Sequence, residues 1–143
     1  GTRGVGNFVL KKYDEAFADF TRAIAIEPEN SRFYFNRGKV QIDRKLLDRA
    51  YDDFSNSVLI EPDYTEAHYE MGKINALIGK YQESVRDYDH AIQSDSTNSI
   101  AFWGRALSKR NVGDLTYCSD FKMACELGIE DCCLAYAEEC DKE

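Results

Sequence analysis

No stretch of this chain approaches 18 consecutive apolar residues, so no membrane-spanning helix is expected and no membrane partner is assigned. Basic charge is scarce. Eighteen Lys and Arg, scattered along the chain, face 26 Asp and Glu, for a net charge of −8. A phosphate backbone is bound by neutralising Lys and Arg, so nucleic acid is not an expected partner. The acidic balance itself signals little beyond a solvated surface. Histidine is limited to His68 and His90, and no Cys-x-x-Cys pair occurs. Neither a metal site nor a catalytic base is expected from that supply. The early Gly1, Gly4 and Gly6 precede no strand and so open no phosphate loop. No cofactor and no catalytic residue is assigned, and enzyme activity is not expected. An N-terminal apolar segment of the signal-peptide kind is also missing. Because Gly1 rather than Met comes first, that absence leaves the compartment open; the cytoplasm is the expectation.

What the chain has in quantity is self-similarity. Ala16 and Ala50 stand 34 apart, as do Phe20, Phe54 and Tyr88, and Ala23, Ser57 and Ala91. Tyr13, Leu47, Tyr81 and Leu115 keep the same step, and Pro28 and Pro62 close two of the copies, with Ser96 in the third slot. A fixed period of this length marks stacked helical hairpins, each burying its apolar side against its neighbours. The stretch from Ser31 to Tyr64 holds the fullest copy: Tyr34, Gly38, Ala50, Phe54 and Pro62, with Arg37 in a slot usually taken by Leu. The next copy gives His68, Met71, Gly72, Ser84 and Tyr88. A further one gives Phe102 and Ala106, then runs one residue short between Gly113 and Phe121, with Gly128 in the Pro place.

In these residues the chain resembles tetratricopeptide repeat proteins. The resemblance implies an all-α fold, a right-handed α-solenoid of antiparallel helix pairs with a C-terminal capping helix. It reads as one domain over 1–143: a partial repeat at 1–30, repeats at 31–64, 65–98 and 99–128, then a cap and tail at 129–143. Helices are expected from about Tyr13 to Glu27, after a start weakened by three Gly. The next run is Ser31–Arg44, capped by Asn30 or Ser31, then Leu47–Ile60 and Thr65–Ile78. Tyr81–Gln93, Ser99–Val112, Leu115–Leu127 and Ile129–Cys140 complete the set. Gly38, Gly72 and Ala106 share one register position, where a small side chain lets the paired helix come close. Phe8, Val9 and Leu10 are expected to cover the first helix.

The same resemblance implies protein binding through a concave groove lined by the first helix of each pair. Phe35, Tyr69 and Trp103, again 34 apart, fall at the position that faces that groove and form a candidate aromatic ladder. Lys39 and Lys73 sit one turn on, Arg32 precedes the ladder, Arg110 extends it, and Asn36 lies between. Aromatic anchors would supply most of the binding energy, and the cations would orient an acidic flank. The bland alternative is that the three rings pack between helices. Relatives that grip the C-terminal carboxylate of chaperones use Lys and Asn at set places. Here Asn36 fits, but Glu66 and Glu70, or Ile100 and Gly104 in the other frame, stand where cations belong, so a chaperone tail is not an expected partner. The partner is therefore a peptide or helix of another protein. Self-association through the N-terminal end, or service as the interaction part of a larger protein, is the alternative.

Two further sets are weighed. Asp19, Asp53, Asp87 and Asp120 lie beside the repeated aromatic and are expected on a solvated outer face. All five cysteines fall between 118 and 140. Cys125 with Cys132 or Cys133 spans a helix–turn–helix, a spacing like that of disulfide-stapled relatives, which makes Cys125 and Cys133 the candidate bridge. Reduced core thiols are the favoured expectation, and a secreted or periplasmic setting follows only if they are bridged.

Overall fold

Lys45, Gly79 and Gly113, one repeat step from each to the next, all take left-handed backbone, with φ of 63°, 85° and 78°. Each ends a helix in the same way. The amide after the left-handed residue donates to the carbonyl five residues back: Leu46 to Gln41, Lys80 to Asn75 and Asp114 to Lys109, at 2.8, 2.8 and 2.9 Å. Gly128 (φ 110°) repeats the motif through Ile129 to Ala124, at 3.0 Å. This arrangement satisfies orphaned carbonyls at a helix end and suits Gly, which has no Cβ to clash. Lys45 holds the same turn without that freedom.

These turns and Pro28 and Pro62 divide the described residues, 2–141, of this computed structural model into eight helices and no strand; side chains are described from Val9 on. They are α1 (Thr2–Ile26), α2 (Ser31–Asp43), α3 (Leu47–Ile60), α4 (Thr65–Leu77), α5 (Tyr81–Ser94), α6 (Ser99–Asn111), α7 (Tyr117–Glu126) and α8 (Glu130–Glu139). The Asn30 side chain accepts from the Arg32 amide and Asn98 from the Ala101 amide, both at 3.1 Å, so α2 and α6 start on side-chain caps.

Two starts differ from expectation by more than one residue. α1 runs unbroken from Thr2 rather than from Tyr13. Lys11 occupies the slot one repeat step before Lys45, and here no residue takes the left-handed turn, so the early glycines do not stop the helix. Helix propensity is a weak prior of about 1 kcal/mol per Gly. The covering role expected of Phe8 lies outside the described side chains. α7 begins at Tyr117, not Leu115, because the Asp114 carboxylate accepts from the Thr116 amide at 2.9 Å and the Thr116 hydroxyl at 2.7 Å. That local turn competes with helix and leaves Leu115 exposed.

Packing divides the chain into two units, Gly1–Pro62 and Asp63–Glu143. In the first, α1 lies against α2 and α2 against α3. Its centre is the fully buried Phe54, whose burial contributes roughly 1.5–3 kcal/mol. A Cβ on Gly38 would lie 2.8 Å from the Phe54 ring, so the missing side chain there admits a ring rather than a second backbone. In the second unit α4 to α8 pack in chain order, while α4 and α6 meet at only a few points. Tyr88 fills the place below Gly72 as Phe54 does below Gly38. Two small cores result, one of Tyr88, Ala91 and Ala101, the other of Phe102, Ala106, Phe121, Ala124 and Cys132.

Candidate functional site

The repeated aspartates are not a solvated face. Asp53 and Asp120 are buried, each 3% exposed. Arg37 grips Asp53 through Nε (3.1 and 3.0 Å) and Nη2 (2.7 Å). Arg105, two repeat steps after Arg37, grips Asp120 at 2.9 and 2.7 Å and reaches Asp89 at 2.7 Å, while Lys109 stands 3.2 Å from Asp120. Each pair joins the two helices of one hairpin. A carboxylate this deep is tolerated only with such a partner. Asp19 alone of the four is exposed, paired with Arg22 one turn on. The sequence signal for the buried pairs was Arg37 in the Leu slot, matched by Arg105 at the same register.

Between those two arginines, the corresponding position holds Met71. Asp87 therefore has no arginine from α4. The Asn75 amide donates to it at 2.6 Å instead. Burial pushes the Asp87 carboxyl up to about 6; the Asn75 bond and the charges of His90 and Arg86 oppose that rise, and Glu83 adds to it. Beside it the rings of His68 and His90 stack with centroids 4.9 Å apart. Burial also raises the Tyr88 phenol above its ordinary range, with the Tyr69, Glu70 and Asp87 charges adding to the effect.

The residues expected to line a groove fall into both units. On α2, Arg32, Asn36 and Lys39 are exposed in one row at steps of four and three, and Phe35 leans half-buried on Phe54 with centroids 5.5 Å apart. On α4, Tyr69 leans on Tyr88 at 5.9 Å and carries the Lys73 ammonium 5.4 Å from its ring centre. Lys73 also stands 3.7 Å from the buried Glu70. Trp103 on α6 rests half-buried against the Phe102–Phe121 core, and Arg110 is committed to both Glu139 oxygens at 3.0 Å. All three ladder rings are thus partly packing residues.

Where α4 and α6 splay apart, they leave a cleft of about 320 Å³. Lys73, Ala76 and Leu77 form one wall and Gly104, Leu107, Ser108 and Asn111 the other, over a floor of Tyr81 and Tyr88. Its lining is mostly apolar. Gly104 keeps it open: a Cβ there would lie 2.7 Å from the Tyr88 phenol oxygen. Under the floor, the Ser84 hydroxyl donates to the Gly72 carbonyl at 2.8 Å and meets the Ser108 hydroxyl at 2.9 Å. Gly104 and Leu107 are one residue and one turn beyond Trp103, and of the residues expected to line a groove Lys73 is the one that lines this cleft.

The cysteines depart from the reduced state expected of them. Cys125 and Cys133 are joined, with Cα atoms 4.8 Å apart, and Cys118 is joined to Cys140, 5.6 Å apart. Only Cys132 keeps its thiol; it is fully buried, and burial, then the Asp131 charge, pushes that thiol's pKa up. Among the described residues, no group of three His, Cys, Asp or Glu side chains could hold a metal, and no helix is long and apolar enough to cross a membrane.

Residues 65–98, which span α4 and α5, match the tetratricopeptide repeat family model. That stretch is a tetratricopeptide repeat. Solved structures share its fold. Against the crystal structure of MamA the identity is 19%, over 81% of this chain and 68% of that one, with a TM-score of 0.77. The first tetratricopeptide repeat domain of Spaghetti (RPAP3), solved with the HSP90 peptide SRMEEVD, is 23% identical over 78% of this chain and 89% of its own, with a TM-score of 0.69. YrrB, described as a tetratricopeptide repeat protein with an unusual peptide-binding site, is 20% identical over 88% of this chain and 66% of its own, with a TM-score of 0.72. No curated protein matches the sequence. The matched repeat is also the stretch that supplies one wall and the floor of the cleft.

Proposed function

We propose that the chain is a protein-interaction module without chemistry of its own, and that the cleft between α4 and α6 takes an extended segment of another protein, anchored by one bulky apolar side chain. The observation that carries this reading is the cleft: a mostly apolar slot of about 320 Å³, held open by Gly104 and floored by a tyrosine. A volume of this order is at the lower end of small-ligand pockets and suits one or two side chains. Lys73, on the rim and 45% exposed, is the group to orient an acidic residue beside the anchor. Arg32, Asn36 and Lys39 are proposed as a second docking row, on α2. Peptide binding by RPAP3 and YrrB supports the class of ligand. A chaperone tail does not fit, since Glu66 and the buried Glu70 would repel its carboxylates. We read the repeats of the module as 31–64, 65–98 and 99–128. Its two disulfides favour an oxidising compartment over the cytoplasm.

The test is selection of a random linear peptide library on the intact protein, followed by affinity measurement with a Leu77→Glu variant. Leu77 is 71% exposed, so this change spares the fold. Selected peptides should share one bulky apolar position and lose at least about tenfold in affinity on the variant, and SRMEEVD should not bind. Peptides without a shared apolar position, or binding indifferent to Leu77→Glu, would refute the cleft. The ladder residues are poorer probes, because removing Phe35 or Tyr69 also strips a neighbour from Phe54 or Tyr88.

A further inference from the structure

The last helix is attached in an unusual way. α8 has ten residues, and only Cys132 among them is buried; Leu134 is 64% exposed, and Glu130, Asp131, Glu138 and Glu139 make the helix strongly acidic. A helix this short is marginal by itself and depends on packing. Its packing is thin: Cys132, with Ile129, Ala135 and Tyr136 beside it, rests on Phe102, Phe121 and Ala124. What closes the α7–α8 hairpin at each end is covalent. Cys125–Cys133 ties the last turn of α7 to the first turn of α8, and Cys118–Cys140 ties the first turn of α7 to the residue after α8. All four bridged residues are half-buried, within reach of a small reductant, whereas Cys132 beneath them is not. The other outer tie is the Arg110–Glu139 ion pair, and a pair at that exposure contributes about 0–1 kcal/mol.

We infer that α8 is a redox-conditional cap: the two disulfides hold it over the Phe102–Phe121 end of the second unit, and their reduction by a dithiol releases it. The exchange is balanced within the two reagents. A thiolate of the dithiol attacks one sulfur of a bridge, and the other sulfur leaves as thiolate and takes up a proton. The dithiol's second thiolate then resolves the mixed disulfide, so each bridge gains two hydrogens while one dithiol becomes a cyclic disulfide. Release uncovers Phe102, Phe121 and Ala124, and it exposes Cys132.

Cys132 is therefore the reporter. A Cys118→Ser/Cys125→Ser/Cys133→Ser/Cys140→Ser variant carries it as the single thiol, matching the single free thiol of the oxidised protein. The expected result is alkylation of Cys132 by iodoacetamide at least about tenfold faster in the variant, a fold-change set by local opening. Amide exchange should rise in α8 while α4 to α6 keep their protection. Dithiothreitol-reduced wild type, read by amide exchange alone, should behave as the variant does. Cys132 equally protected in a folded variant would overturn the inference, since burial alone would then hold the cap. Loss of protection throughout α4 to α8 together, in the variant or in reduced wild type, would overturn it as well, because the bridges would then support the whole unit.

Discussion

Met71→Arg should cost stability below pH 6 and little or none above it. At the register of Met71, the flanking hairpins carry Arg37 and Arg105, which reach Asp53 and Asp120 at 2.7 Å. Met71 is buried and leaves Asp87 with an amide alone. A carboxyl raised from 3.8 to about 6 in the folded state contributes stability that is whole below pH 3.8 and lost as pH climbs through 6. At 1.36 kcal/mol per pH unit that loss is about 3 kcal/mol, and water at this partly exposed site screens it to ~1–2 kcal/mol. An arginine at 71 would remove the loss by favouring the carboxylate, and would cost ~1–2 kcal/mol of buried Met surface at every pH. The variant should therefore be near neutral at pH 8 and less stable than wild type by ~1–2 kcal/mol at pH 4.5, where Asp87 is protonated in wild type. Thermal unfolding of both proteins at both pH values gives the double difference, in which contributions common to the two proteins, the histidines among them, cancel. At ~2–4 °C per kcal/mol, it should amount to about 2–8 °C. Equal displacements of Tm at pH 4.5 and pH 8 would refute the reading of Asp87.

Lys45→Gly should stabilise the first unit by ~1 kcal/mol in urea unfolding, since φ of 63° penalises a side chain there, while Lys45→Ala should give no such gain. Arg37→Met strands the buried Asp53 and should cost roughly 3–5 kcal/mol; Arg105→Met should cost less, because Lys109 remains 3.2 Å from Asp120. The comparison is made by urea unfolding at neutral pH. A Cys118→Ser/Cys140→Ser variant opens a loop of 22 residues and should lose ~3 kcal/mol by chain entropy, read from the urea midpoint of oxidised wild type and variant.

Most of the fold was legible because the repeat step carries turn chemistry as well as apolar pattern. The helix ends expected at Arg44, Ile78 and Val112 stand directly before the left-handed Lys45, Gly79 and Gly113. The rule failed at Lys11, where the step predicts a hairpin break and the chain continues as helix. A period says where a turn fits; it does not supply the residues that stop a helix. It failed again near Leu115, where the short Asp114–Thr116 turn won over continuing helix.

The site was less legible, for a different reason. Periodicity assigns a face to each residue by averaging over copies, and at these positions the copies differ. Asp53, Asp87 and Asp120 read alike as outer-face carboxylates, yet what buries two of them is an arginine 16 or 15 residues earlier, and what sets the third apart is a methionine in that same place. The cleft obeys the same logic: it opens because position 104 is Gly where 36 and 70 are Asn and Glu, a difference the shared aromatic at 35, 69 and 103 conceals. The shared positions build the stack, and the departures from them give one hairpin its titrating carboxyl and its neighbour an open wall. Asp87 neighbours Tyr88 on α5 and its charge helps raise the Tyr88 phenol, so the chemistry of the unclamped hairpin is coupled to the cleft floor. Adding the missing arginine at 71 is therefore a test of the site as much as of the fold.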